Sequence, residues 1–455
     1  MQAFSDRLEA LRKQVADAAL KGAAPAENTR RRVLYCEAQL LRMDVGEALL
    51  AATDGKVDVE KHCTALADGR NHKTSAFSDA VPAEYAVALR GIDELSASLA
   101  LVAAPNTGGI VTVVHTLARF ACMVVTVVSG SLMILCAVPL RLLHPLLRRW
   151  FGVRVDNLPM AWVQSLFGRM CVASAAVHVH GEGLEHLRAE GQQGQGAGAG
   201  AGQHGKQGQQ GQPQPQGGAA GSKALLPTLL MYSHGSNLDP FIINSRCPVL
   251  SKWVAKESIM LIPLLGWALY ALGNLPISRS NTSKAIKTLH RLRAKVAQGH
   301  SLAIAPEGTR SKSGQLQAFK KGAFHTAKDC GLAITPVMIF GAFELWPPSR
   351  AFTLPGQVVV RFLPQWRPPP GEDARLALRR HLLRQACARV PPSAGAPLGA
   401  RQVAEAALNY AWLAATWRAI WWVVGCYARA LGMNGWRCAA AAAAFELFIY
   451  VREVM

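Results

Sequence analysis

The chain has 455 residues, half of them hydrophobic, and its 49 Lys and Arg against 29 Asp and Glu give a formal net charge of +20. A basic excess in so apolar a chain indicates an acidic membrane face or a phosphorylated ligand as the anionic partner, in preference to nucleic acid. The sequence has no zinc-finger, basic-zipper or RNA-binding motif, and its ten cysteines form no CxxC pair or Cys/His cluster, so we expect free thiols on a cytosolic or stromal side.

The N-terminal region 1–105 is the first predicted unit, a polar, Ala-rich helical extension with breaks around residues 22–25 and 69–71. The opening MQAFSDRLEALRK lacks the compact apolar run of a secretory signal and carries acids that transit peptides usually avoid. A plastid address stays an open alternative. No pattern in this extension indicates chemistry, so its role is left unassigned.

An uncharged stretch, FACMVVTVVSGSLMILCAVPL, covers residues 120–140. Its length meets the ~20 residues that a helix needs to cross a bilayer. We predict a membrane-inserted helix with a basic flank over 110–155, the alternatives being a hairpin in one leaflet and a buried core helix. The flanking arginines, which place the next part of the chain on the cytosolic face by the positive-inside rule, are Arg141, Arg148, Arg149 and Arg154.

Residues 191–222 are almost entirely Gly, Gln, Ala and Pro, a composition that cannot bury a core and predicts disorder. The alternation of Val177 and Val179 predicts a strand before this tract, and LLPTLLMYS predicts another directly after it. Because the second strand needs a sheet partner, we interpret the tract as an insertion within one domain. From there to about residue 365, strands such as SLAIA, LAITPVMIF and QVVVRF alternate with helices, which is typical of an α/β fold.

A histidine and an aspartate lie close together in YSHGSNLDP, where His234 ends a predicted strand and Asp239 follows a turn. A hydroxyl is a poor nucleophile at neutral pH, so a reaction at an alcohol needs a base, and histidine titrates in a suitable range. A neighbouring carboxylate can fix the ring tautomer and stabilise the imidazolium. The spacing alone is common, and a strand-end histidine in a solvated turn is the alternative interpretation.

Two further segments carry cationic side chains into predicted loops: GNLPISRSN follows a strand-like stretch, and APEGTRS follows the SLAIA strand. Guanidinium groups pair with phosphate bidentately, so two arginines with loop amides and a hydroxyl can form a phosphate cradle. The alternatives are a surface charge for each arginine and a polar turn for the loop. The candidate phosphate-binding residues are Arg279, Glu307, Gly308, Thr309 and Arg310.

The order of these segments resembles that of the glycerophospholipid acyltransferase family, which includes 1-acylglycerol-3-phosphate acyltransferase. The resemblance extends over about 160–365, and it implies an α/β fold with a mixed sheet flanked by helices, as in glycerol-3-phosphate acyltransferase. Two departures, Ser233 where Asn is common and Ala305 where Phe often stands, remove no reacting group. The four matching blocks are SHGSNLD (233–239), GNLPISR (273–279), APEGTRS (305–311) and ITPV (334–337).

The resemblance also implies roles. A lysophosphatidic acid hydroxyl would attack the thioester of acyl-CoA, forming phosphatidic acid, with acyl-CoA or acyl carrier protein as co-substrate and no cofactor or metal. Membrane lipids would be partners and nucleic acid would not. The implied residues are His234 as base, Asp239 as its orienting partner, Arg279 and Arg310 on phosphate, Glu307, Gly308 and Thr309 shaping the acceptor site, and Pro336 shaping the site without reacting.

Several alternatives stay open at this point. The acceptor could be another lysophospholipid or glycerol 3-phosphate, the reaction could be a tafazzin-like transacylation, and the chain could be a catalytically inactive membrane scaffold. The expected location is the endoplasmic reticulum membrane with the catalytic domain facing the cytosol, and the plastid envelope is the alternative.

Two apolar regions complete the prediction. SIMLIPLLGWALYALGNLPIS (258–278) lies between two of the blocks, and a full crossing there would separate His234 from Glu307 across the bilayer. We therefore predict an apolar helix that lines an acyl tunnel or rests in one leaflet. Residues 366–455 are predicted as a helical tail whose tryptophans suit a membrane interface, ordinary helix packing being the alternative.

Overall fold

The computed structural model describes residues 1–18, 20, 22, 24–53, 81–103, 110–138, 158–187, 227–247, 251–277, 282–430 and 432. The Gly/Gln-rich tract at 191–222, the four arginines of the predicted basic flank and the end of the predicted tail lie outside these residues.

The helices and strands alternate after a purely helical N-terminal part. The helices are α1 (Gln2–Asp17), α2 (Pro25–Ala52), α3 (Ala83–Ser98), α4 (Ile110–Ala137), α5 (Leu158–Ser174), α6 (Asp239–Arg246), α7 (Glu257–Met260), α8 (Leu265–Ala271), α9 (Thr282–Ala297), α10 (Lys321–Cys330), α11 (Ala342–Leu345), α12 (Ala374–Ala388) and α13 (Ala400–Ala430). The strands are β1 (Val177–Glu182), β2 (Thr228–Tyr232), β3 (Ser251–Lys256), β4 (Leu275–Ile277), β5 (Ser301–Ile304), β6 (Ala333–Phe340) and β7 (Gly356–Phe362).

Within the described residues the strands form one seven-stranded sheet in the order β1-β7-β6-β2-β5-β3-β4. Strands β2 to β6 run parallel to one another, whereas β7 is antiparallel to β6 and carries β1 parallel to itself. The sheet is therefore mixed and flanked by helices, which confirms the predicted fold class. Strands β1 and β2, before and after the Gly/Gln-rich tract, both belong to this sheet.

The two faces of the sheet carry different helices, because alternate residues of a strand point to opposite faces. On the first face, Leu230, Val337 and Val360 belong to a core that includes residues of α4, α5 and α6. We call this the α4 side. On the second face, Leu229 and Met338 belong to a core that includes residues of α2, α9, α10 and α12. We call this the α2 side.

Helix α2 joins the N-terminal region to the sheet. Cys36 and Met43 pack into the core on the α2 side, while Leu34 and Leu41 pack into a smaller core shared with α1 and α3. Pro25 at its first turn presets the helical φ angle without losing a needed hydrogen bond. The predicted extension 1–105 thus contributes a helix to the layer that covers the sheet.

Helix α4 is the one helix in the described part of the chain that is long and apolar enough to cross a bilayer, over Val114–Ala137, with a mean hydropathy of 2.3. It packs against α5 and α13. Apolar side chains on its outer face are exposed, including Val114 at 58% and Leu117 at 52%. This surface is chemically suited to lipid, although length and composition alone also fit a core helix.

One sequence prediction differs from the structure, and one strand was not predicted. The apolar stretch 258–278 is not one helix: α7 and α8 are short and separated by a turn, and β4 then joins the sheet edge. Pro263 and Gly273 break the helical pattern there, because proline cannot donate to a helix and Gly273 has a positive φ of 77°. Strand β3 was not predicted, because SKWVAK carries charge at both ends of a short segment.

The predicted boundary between domain and tail fell at residue 365. Beyond it, α12 packs into the α2-side core through Leu378, Leu382 and Leu383. Asp373 caps this helix by accepting a hydrogen bond from the Arg375 backbone N–H at 2.9 Å.

Candidate active site

His234 lies just beyond the carboxyl end of β2, a central strand of the sheet. In open α/β sheets, ligands bind in the crevice beyond the carboxyl ends of parallel strands. The Ser233 N–H donates to the Val337 carbonyl at 3.0 Å, and the Ser233 hydroxyl accepts from the Ile339 N–H at 3.0 Å, so neighbouring β6 fixes the chain at this point. The His234 side chain remains 13% exposed.

Asp239 fixes the imidazole from the start of α6. Its Oδ2 lies 2.8 Å from His234 Nδ1 and accepts backbone N–H groups of Gly235 at 2.9 Å and Ser236 at 2.8 Å. Because this oxygen already acts as an acceptor for two amides, we assign the proton to Nδ1, which leaves Nε2 unprotonated and basic. Asp239 is 1% exposed and lies in the first turn of α6.

Glu307 supports His234 from the adjacent strand. Since β5 pairs in parallel with β2, the loop after β5 emerges beside the histidine. Glu307 Oε1 accepts the His234 backbone N–H at 2.9 Å, and Oε2 accepts the Gln317 N–H at 3.1 Å. Burial raises the pKa of Glu307 to about 8, because lost solvation outweighs the two backbone N–H groups that favour the charged form. The predicted acceptor-site residue is therefore placed to hold the histidine's backbone.

The segment of residues 311–317, which we call the 311–317 loop, returns to the same histidine. The Ser311 N–H donates to the His234 carbonyl at 2.7 Å, and the Ser311 hydroxyl donates to the Gln315 carbonyl at 2.7 Å. Together with Glu307, this loop satisfies both the N–H and the carbonyl of His234.

The remaining predicted phosphate-binding residues are placed as follows. Arg310 donates to the Asn237 side chain, inside the first block, and so lies beside the histidine loop. Thr309 is exposed. Gly308 has a φ of +73°, and a Cβ there would approach Lys320 Cδ at 2.8 Å, so glycine suits this turn. Arg279 lies outside the described residues.

A small cavity of about 50 Å³ borders the histidine. That volume holds only a few water molecules. Its lining includes His234, Asp239 and Glu307 from the predicted site, and also Arg32 and Cys36 from α2. No signal in the sequence indicated that the N-terminal region reaches this cavity, since the contact spans some 200 positions.

Two further site residues were not singled out from the sequence. Ser236, inside SHGSNLD, is fully buried, and its hydroxyl donates to the Trp346 carbonyl at 2.9 Å and accepts from the Leu238 N–H at 3.2 Å. Asn237 accepts from Arg310. Both lie in the block that carries His234 and Asp239, so their position in that block was the available signal.

The comparisons with known proteins cover the segment that carries His234 and Asp239. The acyltransferase family model matches residues 218–340. Over 121 residues the chain is 35% identical to the chloroplastic 1-acyl-sn-glycerol-3-phosphate acyltransferase of Arabidopsis thaliana, covering 27% of this chain and 34% of that relative. Over 140 residues it is 34% identical to the 1-acyl-sn-glycerol-3-phosphate acyltransferase of Saccharomyces cerevisiae, covering 30% of this chain and 46% of that relative.

A solved structure, that of the 1-acyl-sn-glycerophosphate (LPA) acyltransferase from Thermotoga maritima, aligns with a TM-score of 0.43 at 20% identity, covering 61% of this chain and 93% of that one. The aligned regions cover less than half the length of either curated relative described above. The segment that matches the acyltransferase family model contains His234 and Asp239, which lie beyond the carboxyl end of a central strand. Over this part of its length the chain resembles the 1-acyl-sn-glycerol-3-phosphate acyltransferases.

Proposed function

We propose that this protein transfers a fatty acyl group from an acyl thioester to the free hydroxyl of lysophosphatidic acid, forming phosphatidic acid. The observation that carries the proposal is the 2.8 Å contact between His234 Nδ1 and Asp239, made where the ends of β2 and β5 meet. The relatives named as 1-acyl-sn-glycerol-3-phosphate acyltransferases support the choice of acceptor.

In the proposed reaction the unprotonated Nε2 of His234 takes the proton of the acceptor hydroxyl as its oxygen attacks the thioester carbonyl. The tetrahedral intermediate then collapses, the carbon–sulfur bond breaks, and the imidazolium returns the proton to the leaving thiolate. Asp239 keeps the proton on Nδ1 and stabilises the imidazolium. The proposed reaction needs no covalent enzyme intermediate, and none of its steps requires a cofactor or a metal.

The acceptor phosphate is assigned in this proposal to Arg310 and Arg279. Arg310 lies beside the histidine block through its hydrogen bond to Asn237, and a guanidinium pairs well with a phosphate. The proposed donor is acyl-CoA, with acyl carrier protein as the alternative. Both carry the same thioester, so the site chemistry does not differ between them.

The proposed location is a membrane, with the catalytic domain on the cytosolic face of the endoplasmic reticulum and the plastid envelope as the alternative. The apolar face of α4 and the exposed tryptophans of α13, Trp421 at 49% and Trp422 at 68%, support membrane association. Protease protection in microsomes, compared with isolated plastid envelopes, tests the orientation and the organelle.

The activity test is an assay of the purified full chain with labelled acyl-CoA or acyl carrier protein thioester against a panel of lysolipids and glycerol 3-phosphate. We expect lysophosphatidic acid to be the preferred acceptor. His234→Ala should lower turnover about 10²–10⁴-fold, the usual contribution of a positioned base. The matched control is His290→Ala, at an exposed position on α9, which should leave turnover unchanged.

Each other result has a defined meaning. Wild-type turnover in folded His234→Ala protein would refute the mechanism. Preference for another lysolipid, or for transfer between phospholipids without a thioester, would replace the proposed substrates. Absence of transfer with every donor and acceptor, in protein that binds membranes, would support the inactive scaffold instead.

A further inference from the structure

The N-terminal helices make contacts near the site that have no role in the proposed reaction. They are separated from His234 by about 200 positions in sequence, yet Arg32 and Cys36 line the cavity beside it. The contacts that bring them there converge on the 311–317 loop, which holds the backbone of His234.

From α2, the Tyr35 hydroxyl donates to the Leu316 carbonyl at 3.1 Å. Arg379 of α12 reinforces this contact by donating from Nε to the Gln317 carbonyl at 3.2 Å and from Nη2 to the Gln39 side chain at 2.8 Å. Gln39 also belongs to α2. The carboxyl end of the loop is therefore tied twice to the same N-terminal helix.

Residues 99–103, the segment that follows α3, hold the middle of the loop. The Gln315 side chain donates to the Leu99 carbonyl at 2.7 Å, and the Leu101 N–H donates to the Ser313 carbonyl at 2.8 Å. These contacts satisfy groups at both ends of the turn around Gly314, which has a φ of +72°.

Asn28 joins the 99–103 segment back to α2. Its side-chain N–H₂ donates to the Val102 carbonyl at 2.8 Å, and its side-chain oxygen accepts the Val102 N–H at 3.0 Å. Asn28 is fully buried, so water does not compete for these bonds. The two N-terminal attachments of the loop are therefore coupled to each other.

The loop transmits this support to the histidine. Its first residue, Ser311, donates to the His234 carbonyl, and its last, Gln317, donates to Glu307, which in turn accepts the His234 N–H. Without these attachments, a segment outside the helices and strands would sample more conformations. Each of its two contacts with the catalytic residues lies within a few positions of an N-terminal attachment.

We propose that α2 and the 99–103 segment are part of the catalytic unit, with Tyr35 and Asn28 as positioning residues that set the 311–317 loop and, through it, the backbone of His234. The inference rests on the proposed acyl transfer for its kinetic consequence, though the loop contact itself does not. A displacement of about 1 Å at a reacting group can cost 10²-fold in rate, so positioning alone has a measurable effect.

The test compares Tyr35→Phe with the wild-type full chain, since this change removes one hydroxyl and keeps the ring. The matched control is Tyr85→Phe on α3, a partly buried tyrosine that packs in the N-terminal core. Asn28→Ala is a second variant that loosens the same loop from its other attachment. Hydrogen exchange of loop amides, kcat and KM for lysophosphatidate, and the melting temperature are measured for each.

We expect Tyr35→Phe to speed exchange within residues 311–317 and to lower kcat about tenfold, the order expected for one buried hydrogen bond, with KM changed less than about twofold. Asn28→Ala should act in the same direction, and Tyr85→Phe should change neither. Unchanged loop exchange in both variants, or a uniform rise in exchange across the protein matched by a fall in melting temperature, would overturn the inference. If the wild type transfers no acyl group, the proposed function fails while the exchange data still test the loop.

Discussion

His234 is held from the two sides of the sheet by different means. On the α4 side, Asp239 begins α6, whose Ile242 and Ile243 are buried in an apolar core with α4 and α5. On the α2 side, the support is polar: Glu307 and the 311–317 loop hold the histidine backbone, and Tyr35, Asn28 and Arg379 hold the loop.

The two sides of the sheet therefore support His234 in different ways. Apolar packing is non-directional. The α4 side can therefore hold α6, and with it Asp239, while its outer surface remains apolar and suited to lipid. Hydrogen bonds and ion pairs are directional. Removing one partner of a buried pair leaves the other group unsatisfied, which costs stability. The α2 side therefore specifies geometry at the site, and losing one partner there should cost more than losing one polar contact on the α4 side.

The largest effect should come from the ion pair that attaches α2 to α11, the short helix after β6. Arg32 donates to Glu344 of α11 at 3.0 Å, and a second pair of atoms lies 2.9 Å apart, with side chains 8% and 2% exposed. Arg32→Met leaves Glu344 buried without its partner and should lower the free energy of unfolding by about 3–5 kcal/mol. Chemical denaturation in detergent measures the change.

The exposed pair Arg7–Asp44, at 3.1 Å with side chains 53% and 39% exposed, provides the control. Arg7→Met should cost less than about 1 kcal/mol. The double variant Arg32→Met/Glu344→Leu should recover much of the loss, because no unpaired charge remains. Equal effects of Arg32→Met and Arg7→Met would remove the contrast between the two sides.

The next effect is a pH dependence that arises on the α2 side, at Glu307. The pKa of Glu307 is raised to about 8, so the folded protein keeps a proton that the unfolded chain releases above about pH 4.5. Stability should therefore fall as pH rises from about 4.5 to about 8, because in this window the folded state binds one proton more than the unfolded chain.

Glu307→Gln is neutral at every pH and should flatten this slope relative to wild type. Glu307 accepts a backbone N–H at each of its two oxygens, whereas the amide has one oxygen and one NH₂ group. One of the two hydrogen bonds is therefore lost, and we expect lower turnover at all pH values. Glu372→Gln, at an exposed carboxyl, is the control and should keep the wild-type slope. A slope that persists in Glu307→Gln would show that other groups bind the proton.

The same contrast explains how much of the site the sequence predicted. His234 and Asp239 are close in sequence, and their contact forms within one turn, so their meeting could be predicted. Strands β5 and β6 were predicted because they are short apolar runs between turn signals. The attachment of α2 was not predictable, because Arg32 and Glu344 are 312 positions apart and each resembles an ordinary helix charge until the sheet brings them together.

The smallest effect concerns a polar contact on the α4 side. The Trp421 indole N–H of α13 donates to the hydroxyl of Ser129 on α4 at 3.1 Å. Trp421→Phe should lower the free energy of unfolding by about 1 kcal/mol, because it leaves a buried hydroxyl without this donor while most of the ring contact stays. The neighbouring Trp422→Phe, at a position 68% exposed, should cost less, and both variants should keep wild-type kcat. A loss of kcat in Trp421→Phe as large as that in Tyr35→Phe would mean that the α4 side also sets the geometry at His234, and the two sides would then share one task.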